Sequence, residues 1–291
     1  DDATTIQVPA EIVYLPTPAT PYTLNPTLNS ERWANEDVVI TPATGYTISE
    51  TLSGNYTASI TLSATQADVK VYLKNASGQM TDVITIGDIN IDKVAPTGDI
   101  TFNTNSVKKA INDITFGLFF KDTQEVTINA SDNSGTVFVS YLVTNRDLSE
   151  TELGSLVYRA YDEPFLIEPN GEYIVYAMLV DESMNITYLR SDRITLDNIR
   201  PVIGGIENGK TYCEAQTVTI DEKYIDTVTV NGTKVTLDEN GGFTLSPADG
   251  EQKIIVTDKA GNTAEMTVTI NDGHTFGEWT SNGDGTHSRK C

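Results

Sequence analysis

The side chains best placed to do chemistry in this sequence are carboxylates standing where an apolar run ends and a turn begins. Asp92, Asp132, Asp181, Asp197 and Asp258 all occupy such places. Asp92 and Asp197 share a further feature, since each lies four residues before a proline, Pro96 and Pro201. Calcium takes hard carboxylate and carbonyl oxygens, so Asp92 and Asp197 are candidate calcium residues at points where folded units would meet. No D-x-[DN]-x-[DN]-G loop is present, and the competing role for the same carboxylates is to cap turns. His274, His287 and Cys291 offer three ligands of the kind zinc takes, one short of a closed structural site. An unstructured tail is the plainer expectation for them.

Other chemistry finds little support. Both histidines fall in the last eighteen residues, and no H-E-x-x-H, G-x-S-x-G or P-loop occurs. A glycosidase needs a carboxylate pair in a cleft, which small sandwiches on short linkers seldom supply. The chain is therefore expected not to be an enzyme. Tyr158, Tyr161 and Phe165, gathered in GSLVYRAYDEPF, are candidate ligand-binding rings for glycans. The alternative is that they seal the top of a core.

The elements that would position these groups come in a repeated pattern. A strand, a small polar turn, a second strand and an acidic or amide exit residue recur over residues 71–96, 176–201 and 254–272. Endings spaced about a domain apart imply beads on a string. In DKAGN, Asp258 can accept backbone N–H groups in an Asx-turn and Gly261 supplies a positive φ. In the second copy Met184 replaces that glycine, so Asn185 is expected to take the awkward dihedrals. Pro96 and Pro201 restrict φ and bias the preceding residue to extended geometry, which limits how neighbouring beads can orient.

Composition agrees. The 291 residues suggest two or three domains. Abundant β-branched and aromatic residues with turns rich in Gly, Asn and Asp point to an all-β protein. No apolar run reaches the roughly 20 residues of a spanning helix. The net charge of −22, from 41 acidic and 19 basic residues, repels phosphate backbones and anionic membranes, so nucleic acid is not an expected partner. Most of these acids are expected to be a solvated coat. Cys213 and Cys291 are too few for a disulfide framework; Cys213 reads as a buried small hydrophobe. DDATTIQVPA has no signal-peptide pattern.

Along the chain, Pro9, Pro16, Pro18, Pro21 and Pro26 oppose helix and central strand. IQVPAEIVYLP can supply an edge strand, and TPATPYTLNPTLN reads as an extended wrap. EVTINASDNSGTVFVSYLVTN reads as a hairpin about Asp132–Gly135 and FLIEPNGEYIVYAML as one about Asn170–Gly171. Ser149 and Glu152 form the signature of a capping box on one short helix. Asn231–Gly232 is a two-residue turn between TVTV and TKVTL. The expected domains are 1–95, 96–198 and 199–271, with 272–291 as a tail.

The runs WANEDVVITPATGY, VYLKNASGQMTDVITIGDINIDKVAPTGDI, VIGGIENGKTYCEAQTVTI and VTDKAGNTAEMTVTI resemble tandem bacterial immunoglobulin-like domains of Gram-positive, clostridial-type cell-surface proteins. The resemblance spans nearly the whole chain and is carried most specifically by the DKAGN turn and the D-x-x-x-P linker. It implies three tandem immunoglobulin-like β-sandwiches in an extended arrangement. It further implies a secreted, cell-wall-associated, non-catalytic stalk or adhesin segment that spaces or presents other modules. The alternative is a carbohydrate-binding module of a glycan-binding or glycan-degrading surface protein. The expected partners are wall or host glycans or surface proteins, with the chain itself a monomer. GHTFGEWTSNGDGTHSRKC resembles the start of a short Cys/His-containing repeat of the same proteins, in which a C-x-x-C pair usually continues the segment.

Overall fold

Alternating apolar and polar residues make strands with one wet and one dry face, and such strands are stable only when the dry faces of two sheets meet. The structure, a computed structural model, describes residues 14–103, 118–271 and 277–290. It solves this packing problem three times over.

The first unit holds β1 (Tyr14–Leu15), β2 (Tyr22–Asn25), β3 (Trp33–Ala34), β4 (Val38–Pro42), β5 (Tyr46–Ser49), β6 (Ile60–Leu62), β7 (Gln66–Asn75), β8 (Met80–Thr81) and β9 (Ile84–Ile91). The second holds β10 (Thr97–Phe102), β11 (Leu118–Phe120), β12 (Gln124–Ser131), β13 (Val137–Thr144), the single-turn helix α1 (Glu150–Leu153), β14 (Arg159–Ala160), β15 (Phe165–Ile167), β16 (Gly171–Asp181), β17 (Ile186–Arg190) and β18 (Ile194–Leu196). The third holds β19 (Val202–Gly204), β20 (Thr211–Tyr212), β21 (Gln216–Asp221), β22 (Ile225–Val230), β23 (Thr233–Lys234), β24 (Gly242–Leu245), β25 (Glu251–Asp258) and β26 (Thr263–Ile270). A two-stranded hairpin, β27 (Thr280–Ser281) with β28 (His287–Ser288), follows.

Strand order repeats from unit to unit. Each has a three-stranded sheet, β2-β4-β6, β10-β12-β15 or β19-β21-β24. Each has a larger facing sheet in which a short early strand runs parallel to the last one: β3 with β9, β11 with β18, β20 with β26. This is the order of an immunoglobulin-like sandwich. The chain is thus all-β, three tandem sandwiches, with one short helix among the described residues.

Between the sheets lie three separate apolar cores. Ile40, Ile48, Leu73 and Ile89 are fully buried in the first, Leu179, Ile194 and Leu196 in the second, and Val218, Ile254 and Ile270 in the third. Each such side chain stabilises its own sandwich by about 1.5–3 kcal/mol.

The order corrects four expectations. Strands β12 and β13 lie in opposite sheets, as do β15 and β16. The turns at Asp132–Gly135 and Asn170–Gly171 are therefore arches between sheets and not hairpins. Turn-forming residues reverse a chain equally well in either setting, so local composition does not separate the two. The expected extended wrap contains a strand, β2, paired with β4. Pro21 and Pro26 stand just outside Tyr22–Asn25 at an edge of the sheet, where a missing N–H is tolerated. Finally, Met184 carries the positive φ of its turn, at +69°, and not Asn185.

Other turns match their chemistry. Asn231 and Gly232 have φ of +51° and +79°, as a two-residue primed turn requires. Ser149 caps α1 with Glu152 in a reciprocal capping box. Arg146 and Ser149 hold the Glu152 carboxyl down to about 2. Cys213 is half-buried. Of IQVPAEIVYLP, only Tyr14–Leu15 is a described strand, pairing in parallel with Met80–Thr81.

Candidate functional site

The carboxylates gather where sandwiches meet. At the first joint Asp92 follows β9, Asp132 follows β12 and Asp181 ends β16, with their ligand oxygens all within 4.8 Å of one another. At the second joint Asp197 follows β18, Glu222 follows β21 and Asp258 ends β25, within the same limit. The two trios occupy equivalent positions in equivalent strands. Asp92, Asp181, Asp197 and Asp258 are buried.

Each trio is closed by an asparagine four residues after the strand-ending Asp. Asn262 donates its side-chain amide to Asp258 Oδ2 and to the backbone oxygen of Asp197, both at 2.8 Å. Its backbone N–H reaches Asp258 Oδ1 at 2.8 Å. Asn185 does the same at the first joint, donating to Asp181 Oδ2 at 2.7 Å and to the backbone oxygen of Asp92 at 2.9 Å. The tight turn between β16 and β17, like that between β25 and β26, thus presents an amide to the linker from the preceding sandwich. Hydrogen bonds to a charged acceptor are about twice as strong as neutral ones, so one side chain both satisfies a buried anion and ties two units together.

The linkers are fixed from their own side too. The Asp92 carboxylate accepts the Val94 N–H at 2.9 Å and the Asn133 amide at 2.8 Å. Asp197 accepts the Ile199 N–H at 3.0 Å. Burial acts to raise the Asp132 pKa, but the hydroxyl and N–H of Ser134 outweigh it, and the net direction is down.

The donor set fits a hard divalent cation. Among the described residues, Asp132 Oδ1 at the first joint and Asn262 Oδ1 at the second are buried without a hydrogen-bond partner. Asp92, Asp132 and Asp181 have no ion pair with a lysine or arginine among the described residues. Carboxylates, an amide oxygen and linker carbonyls are oxygen donors of the type calcium coordinates. The first sandwich offers a contrast in its corresponding turn, where Asn75 and Gln79 make a neutral version of the wrap.

The second joint has an additional latch. Glu172 at the start of β16 accepts the Tyr224 hydroxyl at 2.5 Å and Lys223 Nζ at 3.1 Å. The Tyr224 and Lys223 bonds hold its carboxyl below the usual carboxylate value. The Tyr224 ring meets Phe119 edge-on at 5.2 Å. A cleft of about 590 Å³ opens beside this latch, lined in part by Asn145, Glu172, Asp197, Arg200 and Tyr224.

The expected aromatic group is divided. Tyr161 and Phe165 pack with Tyr141 against the second core, with Phe165 stacked on Tyr141 at 4.0 Å. The Tyr161 hydroxyl accepts the Ile128 N–H at 2.9 Å. Tyr158 lies apart, near Tyr188, and donates its hydroxyl to the Leu153 backbone oxygen at 3.1 Å. All three rings are half-buried. His287 is exposed on β28, while His274 and Cys291 lie outside the described residues.

Sequence reasoning brought Asp92, Asp132, Asp181, Asp197 and Asp258 forward but missed Glu222 and the bridging roles of Asn185 and Asn262. The D-x-x-x-N spacing shared by 181–185 and 258–262 is the signal that marks the pair.

No protein-family profile matches the chain, and no curated protein matches it. Among solved structures, a 1.5-MDa bacterial ice-binding adhesin matches at 16% identity over 85% of this chain and 96% of that one, with a TM-score of 0.31. The four N-terminal Ig domains of Dscam1 isoform 6.9 match at 11% over 87% and 73%, with a TM-score of 0.30. Fibronectin(III)-like modules of Clostridium thermocellum CbhA match at 15% over 60% and 94%, with a TM-score of 0.32. At these scores the fold assignment rests on the strand order above.

Proposed function

We propose that this chain is a non-catalytic spacing segment of an extracellular, cell-wall-associated surface protein of the Gram-positive type, holding other modules at a set separation and orientation. The observation that carries this reading is the joint built twice from the same parts: a strand-ending Asp, an Asn four residues on, and a linker Asp. Independent sandwiches on a flexible string would have no use for a buried amide shared between neighbours. Cross-unit hydrogen bonds among the described residues join the first sandwich to the second and the second to the third, as a stalk requires.

Calcium belongs to the same proposal. The ion would lie among Asp92, Asp132 and Asp181, and among Asp197, Glu222 and Asp258, offsetting the mutual repulsion of three close carboxylates. Calorimetric melting with calcium and then with excess chelator tests this. The melting temperature should rise with calcium by several degrees, and the rise should shrink in Asp132→Asn and Glu222→Gln. Melting curves that superimpose with and without millimolar calcium would remove the ion from the proposal.

The spacing role has a separate test. Small-angle scattering of the Asn185→Ala/Asn262→Ala double variant should show a broader distribution of maximum dimensions than the parent chain. An unchanged distribution would mean the joints hold without the amides. The alternative, glycan binding through Tyr158, Tyr161 and Phe165, predicts saturable binding of wall polysaccharide or mucin that is lost in Tyr161→Ala.

A further inference from the structure

The outer face of the second sandwich's larger sheet serves neither the joints nor the main core. Val137, Val139 and Tyr141 of β13 point inward, as do Val175, Ala177 and Leu179 of β16. The alternate residues form two cross-strand rows outside, Phe138–Val180–Ile186 and Ser140–Met178–Tyr188. Phe138 is 62% exposed, Ile186 46% and Tyr188 37%. Contiguous apolar surface of this kind marks an interaction site more often than chance exposure does. The chain itself covers the adjoining half of the face, laying Leu148 and Leu153 over Leu142, Ile174 and Tyr176. The other half opens into a groove of about 420 Å³ whose lining includes Phe138, Ser140, Ala160, Asp162, Met178 and Val180.

Backbone and charge narrow what fits there. Strand β14 pairs with β13 only at Ser140 and Tyr141, and the Tyr161 N–H to Val139 O bond, 3.0 Å, comes next across this edge. Beyond it Val137 and Phe138 form a strand edge with no further strand beside it among the described residues. An open edge is a template for another chain. Asp162 lines the groove, no lysine or arginine does, and the whole chain carries −22.

We propose that this edge and groove bind an extended polypeptide segment of another protein, added as a strand beside Val137–Val139. Its outward apolar side chains pack beside Phe138 and extend the Phe138–Val180–Ile186 row by one strand, and a lysine or arginine lies against Asp162. Strand addition takes affinity from main-chain hydrogen bonds and specificity from alternate side-chain pockets. The groove offers an open strand edge and an apolar floor at Met178 and Val180, with Asp162 as its one charged group. That suits an extended chain with a basic residue, and a second copy of this chain would set acid against acid.

The test uses the full chain and a blocked synthetic peptide in which lysine alternates with valine and phenylalanine. Saturable binding by fluorescence anisotropy is expected, weakening as salt rises. New amide protection should appear at Val137, whose N–H lies on the same edge as the Val139 carbonyl, in hydrogen exchange. Phe138→Thr and Asp162→Lys, both on exposed positions, should each weaken binding by about tenfold while leaving the melting curve of the free protein unchanged. A central proline in the peptide should abolish binding. The proposal is overturned by a peptide that does not bind saturably or binds Phe138→Thr as well as the parent. It is equally overturned if a neutral oligosaccharide, or a second copy of the chain detected by sedimentation, occupies this face instead.

Discussion

The second and third sandwiches have the same strand order and the same closing turn, yet their larger sheets present opposite outer faces. Aligning Asp181 with Asp258 sets Phe138–Val180–Ile186 of one against Thr227–Thr257–Thr263 of the other. The next row sets Ser140–Met178–Tyr188 against Thr229–Ile255–Glu265, where Glu265 pairs with Lys253 at 2.8 Å. The first sandwich has Thr47 opposite Lys74 and Ser49 opposite Tyr72 at the corresponding places. Inward positions obey one rule in all three units because each must fill a core. Outward positions are free to differ, and the second sandwich alone departs from a polar choice along a whole row. A spacer needs only the shared part; the departure is what calls for a partner.

The largest effect expected from breaking this comparison is at Leu153, which has no counterpart in the third sandwich. It is buried on the outer face against Ile174 and Tyr176, so Leu153→Ala should cost the second sandwich about 3 kcal/mol. Chemical denaturation followed by a probe within that sandwich measures this, and the third should melt as before.

A smaller effect separates the joints. Asn262 is fully buried and Asn185 only half-buried. Asn262→Ala strands a carboxylate oxygen and a linker carbonyl away from water, at about 2 kcal/mol, whereas water can replace part of what Asn185→Ala removes. Equal losses would mean that the two joints do not differ in solvent access.

The smallest effect is one of pH and concerns the second joint. The Glu172 pKa is held below its ordinary 4.5 in the folded chain. Its contribution is therefore complete above 4.5 and is lost as pH falls through the lowered value. Because Glu172 is about one-third exposed, solvent screens the effect and it should be modest. Acid titration should loosen contacts around Tyr224 in the parent chain, and Glu172→Gln should flatten that dependence. A parent chain whose Tyr224 environment is constant down to pH 3 would show that the latch does not matter to the joint.

Much of this was legible in residue order. The strand–turn–strand pattern repeated over 71–96, 176–201 and 254–272 marked β7, β9, β16, β25 and β26. The Ser149–Glu152 pair located α1, and Asp92 and Asp197 marked the linkers. These signals are local, since a capping box or an Asx-turn is completed within a few residues of itself. Apart from the positive φ that falls on Met184 and not Asn185, the misreadings are non-local. Asp132–Gly135 was expected to close a hairpin, and only the placement of β12 and β13 in different sheets makes it an arch. Glu222 carries no motif and joins Asp197 and Asp258 through folding alone. How Tyr158, Tyr161 and Phe165 pack is likewise not read from their closeness in sequence: two brace the second core and the third leans toward Tyr188.

The order of residues by itself determined that this chain is made of strands and that it is strongly acidic, because propensity, turn chemistry and charge are properties of short stretches. Only the tertiary structure decided that Asn185 and Asn262 reach across to the preceding linker, that two sets of acids converge, and that Phe138, Val180 and Ile186 line up outside a sheet. Those relations depend on strand register and on which sheet a strand joins, and both are set by packing between residues far apart in the chain.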